Sequence, residues 1–232
     1  MNSTMHAVLA TGIIFAVAGC ATTPAGPPTL QTGPDAEVTI DGLVRVDNAS
    51  VPVAFRKPDL DLSGYTRFML DDVVIAYQKD PGNRTRSTMG SNEANYALNS
   101  RQMETMREVF TESLVEALTE DGGYELTTEA GPDVLRVKAS LIDVVIAVPT
   151  AGNQGRGSTW AASYGLVSLI LDLYDSESGE VLARGGDRRD PTRSAGRELR
   201  EVNPTFVRSD FTRMFDYWAN LLRERLDAFA GR

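Results

Sequence analysis

Residues 134–148 read VLRVKASLIDVVIAV, and their alternation decides the fold. Leu135, Val137, Ala139 and Leu141 fall on one side of an extended chain, and Arg136, Lys138 and Ser140 on the other, because successive strand side chains point to opposite faces. A sheet covered on both faces would read as a nearly continuous apolar run. This strand therefore belongs to a sheet with one covered and one open face. The stretch SYGLVSLILDLYDSESGEVLARGG at 163–186 repeats the pattern. Val167, Leu169, Leu171 and Leu173 alternate with Ser168, Ile170, Asp172 and Tyr174, and DSESGE supplies a hairpin turn.

Working outward, two helices are available to cover the apolar face. Met103, Met106, Phe110, Leu114, Ala117 and Leu118 recur at helical spacing, with Asn99 or Ser100 as cap and Gly122-Gly123 as stop. Phe211, Met214, Phe215, Trp218, Leu222, Arg225 and Phe229 trace a second stripe, with Ser209 as its cap and Trp218 as a core residue. Residues 65–77, YTRFMLDDVVIAY, read as a β-branched and aromatic strand. Its alternation breaks at Asp71-Asp72, which predicts a bulge or register change there. YELTT (124–128) is a further strand, separated from the next by the turn signal AGPD. The expected fold class is α+β: a two-layer sandwich, with a mainly antiparallel sheet and two amphipathic helices on one face.

The single cysteine, Cys20, closes an apolar run from Ala7 to Ala18 that only Thr11 and Gly12 interrupt. The run is shorter than the ~20 residues that span a bilayer, and it fits a signal-peptide core. It ends Val17-Ala18-Gly19-Cys20, which resembles the bacterial lipobox, although MNSTMH before it holds no Lys or Arg. The resemblance implies cleavage between Gly19 and Cys20, acylation of Cys20 and a membrane anchor of several acyl chains. Each buried methylene of such a chain contributes about 0.8 kcal/mol. Ala21 follows the cysteine where Asp would mark inner-membrane retention, so the sorting pattern implies the outer membrane. Residues 1–19 are thus read as signal peptide, 20–36 as lipidated cysteine and Pro-rich tether, and 37–232 as a periplasmic α+β domain. Extended as polyproline at about 3.1 Å per residue, the tether would reach about 50 Å.

Removal of residues 1–19 leaves 213 residues, enough for one sizeable core. The net charge of −9 argues against nucleic acid as a partner, since that needs a basic face. The only histidine is His6, inside the expected leader. A mature chain without histidine and with its cysteine acylated excludes a Ser-His-Asp triad, a Cys-His pair and a His/Cys metal site. Lys57, Lys79 and Lys138 are its only lysines, none in an S-x-x-K arrangement. Phosphate-loop and dinucleotide glycine signatures are absent. No cofactor is expected, and the chain is read as a non-enzyme.

The order lipobox, Pro-rich tether, SGYTRFMLDDVVI, long helix, GPDVLRVKASLIDV, LILDLYDSESGEVLARGGD and terminal FDYWANLLRERL helix resembles the bacterial lipoproteins that share domain of unknown function 3313. The resemblance covers roughly residues 40–230. The hairpin DLYDSESGEVLA is also similar to hairpins of other envelope lipoproteins, among them the curli-secretion channel subunit, the amino-terminal domain of the Tol-system propeller protein and auxiliary lipoproteins of ABC transporters. Those similarities imply an envelope role and, by analogy, an envelope protein partner or a homo-oligomer.

Three features compete as sites. The Gly-rich run TAGNQGRGSTW (150–160) lacks the lysine and following helix of a phosphate loop and reads as a connecting loop. Trp160 and Tyr164 beside it read as packing over a sheet edge. Arg184, Arg188, Arg189, Arg193 and Arg197 form a cluster with chemistry for phosphates, carboxylates or an acidic partner. Asp187 and Asp190 dilute it toward a salt-bridged loop. The acidic pairs Asp71-Asp72 and Asp172/Asp175 do not make a hydrolytic site: adjacent strand residues face apart, and Asp175 opens the hairpin turn. The function expected is an outer-membrane-anchored lipoprotein acting as a non-catalytic binding or assembly component. The alternatives are a homo-oligomeric secretion or transport accessory and a carboxylate-dependent envelope hydrolase.

Overall fold

The computed structural model describes residues 26–77, 99–146, 160–161, 163, 165–194, 200–201 and 204–232. Residues 1–25, Gly19 and Cys20 included, the polar stretch 79–98, most of the Gly-rich run, Tyr164 and Arg197 lie outside the described residues. The chain runs β1 (Thr29–Leu30), β2 (Val44–Asp47), β3 (Val53–Arg56), β4 (Arg67–Leu70), β5 (Val74–Tyr77), α1 (Ser100–Thr119), β6 (Glu125–Leu126) and β7 (Val134–Ile146). It continues β8 (Trp160–Ala161), β9 (Gly165–Asp175), β10 (Val181–Arg189), α2 (Pro191–Ser194), β11 (Arg200–Glu201) and α3 (Pro204–Ala230).

The fold is mixed α+β with a nine-stranded open sheet in the order β1-β2-β3-β10-β9-β7-β4-β6, and β5 pairing with β7 beyond β4. Pairs from β1 to β7 are antiparallel. β4 and β5 run parallel to β7, and β6 runs parallel to β4. The mainly antiparallel sheet thus carries a parallel edge, because α1 crosses over between β5 and β6 and returns the chain in the same direction. β8 and β11 form a separate two-stranded ladder.

Register aligns the inward rows. Val137, Ala139 and Leu141 of β7 stand opposite Leu173, Leu171 and Leu169 of β9, and directly opposed residues share a face. Leu135, Val137, Ala139 and Leu141 are wholly buried. Past Leu141 the alternation slips by one at Asp143, a left-handed residue (φ 50°) in a bulge against β9. The bulge returns Val144, rather than Asp143, to the core. Between β4 and β5 the pairing with β7 slips at residues 71–73, as the Asp71-Asp72 break predicts.

Both long helices lie on the inward face and share its core. Asn99 caps α1 in a full capping box: its side chain accepts from Gln102 N at 2.9 Å, and its own N–H donates to Gln102 Oε1 at 3.0 Å. At the other end Gly122 takes φ +71°. There Arg223 of α3 donates to the carbonyls of Ala117, Leu118 and Glu120 at 3.0–3.2 Å, so one helix caps the other. Phe110 meets Phe215 edge-on at 5.1 Å and 86°. α3 begins at Pro204, five residues before the expected cap Ser209. Proline at a helix start gives up no needed N–H and has its φ preset, so the helix extends back to it.

The segment expected to be a spacer is partly docked. Thr29 and Leu30 pair with Asp47 and Val46 of β2, and Glu37 N–H donates to Gln31 Oε1 at 2.8 Å. The edge of β2 offers unpaired backbone groups, and this stretch satisfies them.

Candidate functional site

Two helices are too few for this sheet. Eight strands at about 4.8 Å spacing make a layer roughly 34 Å wide, whereas two packed helices of about 10 Å diameter cover roughly 20 Å. The uncovered width falls over β9, β10 and β3. Exposure records it: the inward row of β7 is at 0 %, while Leu169, Leu171 and Leu173 on β9 are at 6–7 %.

The result is a cleft of about 240 Å³ between the carboxyl half of α3 and this part of the sheet. Its floor is small. Along one inward row Leu171 of β9 is followed by Gly185 of β10 and Ala54 of β3, and along the next Leu173 is followed by Ala183. A Cβ built on Gly185 would meet nothing within 4 Å, so the glycine itself opens the floor. Trp218, Leu221, Leu222, Leu226 and Phe229 of α3 form the roof, and Ala49, Ser50 and Val51 of the β2–β3 turn form a lip. Arg225 of α3 donates to Ser50 Oγ across that lip. Arg56 lies under Phe229, its guanidinium 5.4 Å from the ring centroid, and donates to the carbonyls of Lys57 and Pro58. Burial lowers the Arg56 pKa from its ordinary value, and a guanidinium so lowered remains charged at neutral pH.

At the inner end Asp187, 8 % exposed, accepts from Trp218 Nε1 at 2.9 Å and from Arg189 Nε at 2.6 Å. Arg189 then lies 3.9 Å over the ring of Tyr217. Arg188 N–H donates to the other oxygen of Asp187 at 2.8 Å, so both oxygens of the carboxylate are engaged in structural hydrogen bonds that hold α3 to β10 and orient the roof. Trp218 is core on its apolar side, as expected, and polar at its nitrogen.

Among the described residues, the arginines of the cluster are divided between the two faces of the sheet. Arg184 and Arg188 stand on the open face of β10, opposite Asp172 and Ser168. Arg184 pairs with Asp172 at 2.6 Å and Asp41 at 3.2 Å. Arg189 points to the helical face, and Arg193 sits on α2, 82 % exposed and 3.7 Å from Asp190. On the open face Asp71 binds Arg136 through both oxygens at 2.8 and 2.9 Å. Asp175 accepts from Tyr65 Oη at 2.9 Å, and burial followed by this bond pushes the Tyr65 pKa up to about 12. Each of these carboxylates is held in a structural pair, and no group of acidic side chains able to hold a metal occurs among the described residues. None of the helices among them is long and apolar enough to cross a membrane.

The cleft was missed in the sequence, although it left a signal. Gly185-Gly186 in the middle of a strand marks a place where packing is given up, and Asp187 falls on the inward beat of Ala183, Gly185 and Arg189.

The fold and cleft define the class: an open-sheet α+β domain with a single helical layer and an apolar cleft beneath its terminal helix. Within that class the chain belongs to the family described as "Protein of unknown function (DUF3313)", whose family model matches residues 40–222. No curated protein matches the chain significantly. Among solved structures it is similar to the PelC dodecamer from Paraburkholderia phytofirmans, at 9% identity over 74% of this chain and 97% of that one, with a TM-score of 0.36. Protein XCC0632 from Xanthomonas campestris, of family DUF330, aligns at 11% identity over 75% and 93%, with a TM-score of 0.39. A neuraminyllactose-binding hemagglutinin homolog from Helicobacter pylori aligns at 8% identity over 74% and 90%, with a TM-score of 0.37.

Proposed function

We propose that this protein is a non-catalytic binding component of the bacterial envelope, anchored through acylated Cys20 at the outer membrane, whose periplasmic domain receives an apolar ligand in the cleft beneath α3. The observation that carries the reading is the cleft itself: about 240 Å³, walled by aliphatic and aromatic side chains, with a glycine in its floor. A cavity of about 150 Å³ lined by such side chains takes up benzene, so this volume holds a longer apolar group. The sequence from Val17 to Cys20 supports the anchor.

The test is a titration of the chain with the neutral fluorophore N-phenyl-1-naphthylamine. One equivalent should bind, and Gly185→Leu, which places a side chain into open space, should abolish binding without lowering the melting temperature. Undiminished binding in that variant would remove the cleft from the account. For the anchor, Cys20→Ser should move the protein out of the outer-membrane fraction, and a variant still labelled by radioactive palmitate would contradict it.

A further inference from the structure

We infer that the ligand of the cleft is a single-chain amphiphile with an anionic head, its chain lying over Gly185 and Leu171 and its head held by Arg56 and Arg225. The inference rests on the cleft being a ligand site, as proposed above, and adds what the ligand is.

Volume sets the number of chains. At about 240 Å³ the cleft lies below the ~300–1,000 Å³ of sites that enclose drug-sized molecules, and an α-helix, about 10 Å across with its side chains, does not fit. One alkyl chain does.

Charge at the mouth sets the head. The chain carries −9 overall, and the third guanidinium lining the cleft, Arg184, is neutralised by Asp172 at 2.6 Å and Asp41 at 3.2 Å. Arg56 and Arg225, both lining the cleft, make no ion pair among the described residues. Among the described residues Arg56 donates through one terminal nitrogen, to two carbonyls, and Arg225 to the hydroxyl of Ser50. A guanidinium has five N–H donors, so both keep donors for a carboxylate or phosphate. They are also neighbours. Phe229 follows Arg225 by one helical turn and lies over Arg56, so the half-exposed ring links the two cations at one end of the cleft. Two half-buried cations without an ion pair among the described residues, beside an apolar slot, match the head and chain of an anionic amphiphile.

Trp218 lines the inner wall and serves as a reporter. The full 232-residue chain carrying Cys20→Ser and Trp160→Phe, purified without detergent, is titrated with dodecanoate, dodecanol and dodecyltrimethylammonium below their micelle concentrations. Dodecanoate should bind at least about tenfold more tightly than dodecanol, as a charge-assisted pair gives, and the ammonium should bind worst. Arg56→Gln and Arg225→Gln together should reduce dodecanoate to the affinity of dodecanol and leave dodecanol unchanged. Gly185→Leu should abolish all three, with Ala183→Leu as a second filling variant. Equal affinity for dodecanoate and dodecanol overturns the anionic head while the cleft reading stands. No binding by any probe, with the chain running as a dimer, gives the cleft to a second copy and overturns both readings.

Discussion

Asp187 occupies an inward strand position where an aliphatic side chain would ordinarily pack, and three donors satisfy it there, with Arg188 N–H on Oδ1 at 2.8 Å. Trp218 Nε1–H and Arg189 Nε–H both end on Oδ2. Asp187→Ala should cost about 2–3 kcal/mol, since it strands a buried indole N–H and removes the partner of Arg189. Asp187→Asn keeps an acceptor and should cost less. In Trp218→Phe the donor is gone, so the Asp187→Ala step should become cheaper by about 1 kcal/mol or more, and urea unfolding of the double-mutant cycle measures that coupling. Additive effects would show that the bond contributes nothing. The residue scale is where the sequence was least legible. GGDRRDP reads locally as a charged loop, and the partner that makes Asp187 structural lies 31 residues away. The arginines suffered the same way: their number was visible, but not that Arg184 and Arg189 point to opposite faces with a carboxylate each.

At the scale of elements, local chemistry was legible wherever it was self-contained. Asn99 was readable as a cap because Asn starts helices, and Gln102 three residues on completes the box. Asn99→Ala should destabilise the chain by about 1 kcal/mol, seen as a lower urea midpoint with an unchanged slope. An unchanged midpoint would mean that α1 is held by tertiary contacts alone, chiefly Phe110 against Phe215 and the Arg223 cap. The long strands β7 and β9 and the hairpin were legible for the same reason, since period-2 alternation needs no partner to be seen. The start of α3 was not: Ser209 is a good cap, but Pro204 is compatible with a helix that begins earlier, and the sequence does not choose between them. Nor did proline-rich composition reveal that Thr29 and Leu30 would add to the edge of β2.

At the scale of the whole molecule, alternation on one face gave the two layers, while pairing order lay beyond reach because it is set between distant segments. The parallel placement of β4, β5 and β6 follows from α1 as a crossover, and a mainly antiparallel reading did not anticipate it. The cleft is likewise a property of the whole. It comes from the mismatch between a broad sheet and two helices, sharpened by Gly185, Ala183 and Ala54 where larger side chains would have filled the gap. Its location also bears on the membrane: Pro28 lines it, eight residues from Cys20, so an anchor there would hold the cleft within about 30 Å of the lipid surface. The most direct measurement is a crystal structure of the chain grown with a bromine-terminated dodecanoate. The account predicts an anomalous bromine peak among Leu171, Gly185 and Leu222, with the carboxylate at Arg56 and Arg225; bromine bound elsewhere, with α3 closed down on the sheet, would contradict it.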